Sequence, residues 1–151
     1  MKQVFGKTWW GRRWLNSLEK IDFENRIQRG ERYARNGSVQ NIQVVNNLIL
    51  ARVQGSARQP YKVEIAVPVI NKVQQKLLLE RIHHNKLIIA SFINREISPL
   101  LEEEAQSLKI NIFPDSWMSL QMSCNCPDFA VPCKHIAALI YSISEMIARD
   151  P

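Results

Sequence analysis

This chain is poor in cysteine, poor in glycine and without any long apolar run. Only three cysteines occur in its 151 residues, and an odd number cannot all pair within one chain, which argues against a disulfide framework. The longest apolar stretch falls far short of the roughly 20 residues that cross a bilayer, so no membrane-spanning segment is expected. Met1 to Gly11 holds no apolar run ahead of Arg12-Arg13, and no secretory leader is expected either. A catalytic carboxylate pair, a Ser/His set and a phosphate-binding loop are all missing, so nothing points to an enzyme or to a small-molecule substrate. There is no internal repeat and no low-complexity tract. The expectation is a soluble, cytoplasmic protein whose hydrophobic fraction of 46% is enough for a packed core.

What is present is concentrated. Cys124, Cys126, Cys133 and His135 form a C-x-C-x6-C-x-H string that uses every cysteine in the chain. In a reducing compartment, thiols clustered this closely serve as metal ligands rather than bridges. Three sulfurs and one nitrogen are the ligand set of a closed, four-coordinate zinc site, so one structural Zn2+ is expected, with no open position for water or substrate. Pro127 restricts Cys126 to extended or turn conformations, and Pro132 does the same on the approach to Cys133. Cys133 and His135 fall at the start of the last helix, where free backbone N–H groups favour the thiolate and Lys134 adds a positive neighbour. The rival reading is three ordinary buried cysteines beside a chance histidine; the joint spacing and the two prolines weigh against it. His83 and His84 are adjacent on a helix and point apart, so no second metal site is expected. Asp128 reads as a turn residue or as a hydrogen-bond acceptor beside the metal.

Charge is unevenly placed. Residues 1–62 carry twelve Lys/Arg against four Asp/Glu, and residues 63–151 carry eight against ten. A basic segment of net +8 is thus joined to a metal-bearing segment of net −2. The basic segment suits a polyanion such as DNA or RNA, or else is simply a solvated face. Arg29, Arg32, Arg35 and Arg58 are the first candidates for phosphate contacts, with Arg12 and Arg13 next.

The residue pattern predicts an α+β fold. Thr8 caps a short helix through about Lys20, on which Trp10, Trp14 and Leu18 form one apolar stripe. Its three tryptophans read as core, or as a base-stacking or docking patch. Arg26 to Ser38 is a basic segment, helical on either side of Gly30 and stopped at Asn36-Gly37. Three strands follow as an antiparallel meander, with Asn46-Asn47 at the first hairpin and Gly55 to Pro60 at the second turn. Helices are expected from Asn71, around Leu87 to Ile93, and from Ser98-Pro99. Short strands are expected at Ile110 to Phe113 and at Trp117 to Met122, then a final helix from about Lys134 to Ala148. The segments are a basic helix and meander over 1–68, a helical stretch over 69–107 and a β-turn-α metal finger over 108–151, packed as one unit.

The string from Cys124 to Leu139 resembles the SWIM-type zinc finger, whose pattern is C-x-C-x(n)-C-x-H with a helix after the histidine. Thr8-Trp-Trp-Gly-Arg12, the run from Arg29 to Gly37, Ala51 to Ser56 and Pro60 to Val63 are similar to bacterial SWIM zinc finger proteins of unassigned activity. The resemblance implies one zinc ion on Cys124, Cys126, Cys133 and His135, and a role in DNA binding or in protein contact. A helicase of Swi/Snf type is one partner of that kind. Chains of this kind extend past the position of Pro151, so the sequence reads as a piece of a longer protein.

Overall fold

Alternating apolar residues build the sheet that everything near the cysteines leans on. The computed structural model describes residues 4–16, 26–128 and 131–151. In chain order the elements are α1 (Trp9–Leu15), α2 (Arg26–Arg35), β1 (Val39–Val45), β2 (Leu48–Val53), β3 (Tyr61–Ala66), α3 (Lys72–His83), α4 (Lys86–Ile93), α5 (Pro99–Ser107), β4 (Gln121–Cys124) and α6 (Lys134–Arg149). The architecture is α+β, with one antiparallel sheet of order β1-β2-β3-β4.

One compact unit is formed by Met1–Pro68 with Pro114–Ala148, and a second by Val69–Phe113 with Arg149–Pro151. In the first unit, β1 and β2 turn at Asn46-Asn47 with Val45 opposite Leu48. Asn46 adopts φ 54°, the left-handed conformation that asparagine tolerates and tight hairpins require. β2 and β3 then pair without a break from Val53↔Tyr61 to Leu48↔Ala66. Ile49, Ala51, Val53, Val63 and Ile65 all point to one face, where they meet Ile136, Leu139, Ile140 and Ile143 of α6. Each buried valine, leucine or isoleucine among them contributes about 1.5–3 kcal/mol by leaving water.

Two helices brace α6. α1 is capped by Thr8, whose hydroxyl accepts the Gly11 N–H at 3.1 Å. Its Trp10 and Trp14 indoles donate to the carbonyls of Ile147 and Ile140, the second at 2.9 Å. Trp10 and Trp14 are therefore core, at 7% and 6% exposure, and are no stacking or docking patch. Their apolar bodies fill the core while their N–H groups find helix carbonyls. Leu18 and the end of the expected helix lie outside the described residues. α2 runs unbroken through Gly30 because that residue faces α6: a Cβ there would stand 2.5 Å from the Ala137 Cβ.

Two expected strands take other forms. The Ile110 N–H bonds the Ala105 carbonyl at 2.8 Å, with Lys109 at φ 58°, so this segment closes α5 instead of pairing. Trp117–Ser119 is a 3-10 turn. Its i→i+3 bonds, Ser119 N–H to Ser116 and Leu120 N–H to Trp117, satisfy the backbone locally. Only Gln121–Cys124 is extended, and it joins the meander as a fourth strand with Val63↔Cys124 and Ile65↔Met122.

The second unit is helical. Asn71 and Gln74 form a capping box on α3, Asn85 caps α4, and Ser98 with Pro99 opens α5. Arg81 ties α3 to Glu104 of α5 at 3.3 Å. Ile88, Ala105, Ile110 and Phe113 are buried, whereas Val73, Leu87 and Ile93 are exposed. No helix among the described residues is long and apolar enough to cross a membrane.

Candidate metal centre

The ligand string is brought together by two elements. Cys124 ends β4, so the sheet register places its sulfur. The next residue locks the turn: the Asn125 side-chain oxygen accepts the Lys62 N–H at 2.8 Å, and the Asn125 N–H returns to the Lys62 carbonyl at 3.3 Å. Cys133 immediately precedes α6, and His135 lies in its first turn. The Cys133 carbonyl accepts the Ala137 N–H at 3.0 Å, which makes the cysteine part of the helix start.

The four side chains converge. Their ligand atoms all lie within 4.8 Å of one another. His135 Nδ1 is 3.8 Å from the sulfurs of both Cys124 and Cys133. A tetrahedral ion with bonds of about 2.3 Å to sulfur has edges near ~3.8 Å, so these separations fit one ion at the centre. Cys133 and His135 are buried; Cys124 and Cys126 are half-buried.

The donor set is also prepared electronically. The Cys124 thiol, hydrogen-bonded to Cys133, pulls the Cys133 thiol down to about 4. Burial opposes this, while His135 and the backbone N–H groups of His135 and Ile136 assist. The same hydrogen bond, and then burial, push Cys124 up. Burial raises Cys126. The cluster by itself thus settles one thiolate readily and resists more. Gathering three requires a cation among them, which a divalent ion supplies. The donor chemistry and the spacing both fit one zinc ion.

The histidine ring packs against two tyrosines. Tyr61 lies at 4.6 Å between ring centroids and Tyr33 at 5.6 Å. Gly55 closes over the far nitrogen: a Cβ there would approach Nε2 to 2.8 Å and the Tyr61 ring to 2.6 Å. Nε2 is buried without a hydrogen-bond partner. Packing, rather than a second hydrogen bond, therefore aims Nδ1 at the sulfurs. Sequence patterns mark Gly55 only as a turn residue and give no sign that Tyr33, some hundred residues upstream, flanks the histidine.

Asp128 does act as an acceptor, but toward α2: its carboxylate takes Arg26 Nε at 3.2 Å, and its carbonyl faces the Cys126 sulfur at 3.8 Å. His83 and His84 do not point apart as expected: their rings pack edge-on to each other at 5.4 Å.

The candidate phosphate contacts separate into two groups. Arg35 pairs with Glu31 one turn away and lies over the Phe5 ring at 5.5 Å. Arg13 approaches Asp115 at 4.0 Å. Arg12 lines a cavity of about 230 Å³ with Phe5, Leu15 and Tyr141. Arg29 and Arg32 are exposed on α2, and Arg58 is exposed in the turn before β3. Arg29 and Arg32 share a groove of about 350 Å³ with Tyr33, Asn36 and Lys134.

Comparison with known proteins agrees with this geometry. The SWIM zinc finger family pattern matches residues 118–144, the stretch from the 3-10 turn through the ligands into α6. The chain is also similar to the Uncharacterized protein Rv2102 of Mycobacterium tuberculosis (strain ATCC 25618 / H37Rv), with 38% identity over 148 residues, which is 98% of this chain and 53% of that protein. The chain therefore spans about half the length of this curated relative. No solved structure matches it. With four converging ligands inside the matched segment, residues 118–144 form a SWIM zinc finger whose Cys3His cluster could hold one zinc ion.

Proposed function

We propose that this protein is a zinc-stabilised binding module, not a catalyst, and that its basic surface contacts the backbone of DNA or RNA. The observation that carries the reading is the position of α2. Its exposed Arg29 and Arg32 stand beside Lys134, the residue between two metal ligands, and no carboxylate among the described residues lines the groove they share. Four protein ligands complete a tetrahedral site and leave no coordination position for a reacting group, which supports binding over catalysis. Contacts of this kind neutralise phosphates without reading bases, and each one adds about 0.9 to the salt slope on duplex DNA. Titration of a short duplex at several salt concentrations tests this. The reading predicts a steep slope that falls by about 2 in Arg29→Ala/Arg32→Ala. Absence of binding at low salt, or binding insensitive to salt, contradicts it.

A second reading is a protein adaptor, for example for a Swi/Snf-type helicase. The exposed Val73, Leu87 and Ile93 of the helical unit support it, since apolar side chains left in water are available to a partner. Recovery of a partner that survives nuclease treatment and is lost in Leu87→Glu would support it over the first.

A further inference from the structure

Resting on the nucleic-acid reading, we infer that the groove between α2 and the start of α6 is an anion site coupled to the metal: a phosphate held there slows loss of the ion, and loss of the ion releases the phosphate. The matched finger ends at residue 144 and begins at 118, so α2 lies outside it. Yet α2 is fastened to the finger at three points. Arg26 bonds Asp128, in the loop between Cys126 and Cys133, at 3.2 Å. Gly30 abuts Ala137, where even a methyl group would collide. Tyr33 lies 5.6 Å from the His135 ring and 5.5 Å below the Lys134 ammonium.

These contacts leave a groove of about 350 Å³ with Arg29 and Arg32 on one wall and Lys134 on the other, completed by Tyr33 and Asn36. Among the described residues its three charged side chains have the same sign. Arg29 and Arg32 make no ion pair among the described residues, so the two walls repel across the groove until an anion lies between them. An anion reverses that sign and draws Lys134 toward α2. Lys134 is bonded in sequence to Cys133 and His135, so holding it also holds two ligands in place. A ligand that prefers the closed arrangement must stabilise everything else that prefers it, and by linkage its effect on the two binding affinities is reciprocal. Tyr33 already packs against the His135 ring and under the Lys134 ammonium, so a stacked base would have to displace one of them, and phosphate is the group recognised.

Zinc transfer from the loaded protein to a chromophoric chelator tests the coupling, with no ligand, with saturating short duplex DNA, and with inorganic pyrophosphate. Release about tenfold slower with duplex is expected, within the usual range of such couplings. The protection should vanish in Arg29→Ala/Arg32→Ala, whose circular dichroism checks that the fold is kept. Duplex binding with an unchanged release rate overturns the inference and leaves the nucleic-acid reading standing. Protection by pyrophosphate with no duplex binding supports the anion site and removes the nucleic-acid reading. Protection undiminished in the double variant overturns the groove as its origin.

Discussion

His135 shows how much a single ligand depends on residues that never touch the ion. Its ring is aimed by Tyr61, Tyr33 and the bare backbone of Gly55. Replacing Gly55 with alanine puts a methyl group 2.8 Å from Nε2 and 2.6 Å from Tyr61, and should destabilise the first unit by about 1–3 kcal/mol. Thermal unfolding of Gly55→Ala in the zinc-loaded protein measures this. Removing a ligand is more severe. Structural zinc contributes on the order of 10–16 kcal/mol at neutral pH, comparable with the whole stability of a domain at about 5–15. Cys133→Ser and His135→Ala should therefore lose both the ion and the packing of α6, read by metal analysis and near-ultraviolet circular dichroism. Acid should do the same gradually. Cys124 and Cys126 are pushed up without the ion, so protons compete for them and metal affinity falls as pH falls. A titration of metal content against pH that rose toward acid would contradict this. At this scale the four ligands were legible in the sequence because their spacing is chemical. Gly55 and Tyr33 were not, because contact across distant segments leaves no local pattern.

Elements follow the same division. Thr8, Asn71 and Ser98-Pro99 announce helix starts through their own hydrogen bonds, and each does so in the structure. The meander was readable from alternation and from Asn46-Asn47. Ile110 to Phe113 misled because a short apolar run fits a strand or a buried turn equally well, and the backbone there serves the end of α5. Gly30 sits mid-helix, where glycine normally costs about 1 kcal/mol against alanine. Propensity alone predicts that Gly30→Ala stabilises. The structure predicts the opposite: carbon atoms at 2.5 Å must move apart, at about 1–3 kcal/mol, so packing wins and α2 shifts from α6. A higher melting temperature in Gly30→Ala would show that α2 is not seated on the finger as described.

For the molecule as a whole, charge and apolar surface are divided between the two units. The basic excess belongs to the unit that holds the sheet and the cysteines, and more of the exposed aliphatic side chains belong to the helical unit than to it. Ile93 is 78% exposed, so Ile93→Glu should change stability by less than about 0.5 kcal/mol and leave duplex binding intact. A large loss of stability on chemical denaturation would place that side chain in a packed contact. No composition argument separates these units, because both are ordinary in hydrophobic content; their separation comes from which segments share a core.

The account depends on a closed four-ligand ion at Cys124, Cys126, Cys133 and His135. Cobalt substitution with optical absorption tests it most directly. The expected result is one cobalt per chain, with the intense bands of a tetrahedral ion bound by three thiolates and one imidazole, unchanged by added anions or by water exchange. A chain that takes up no metal, or a spectrum that reports an exchangeable water among the ligands, would contradict it.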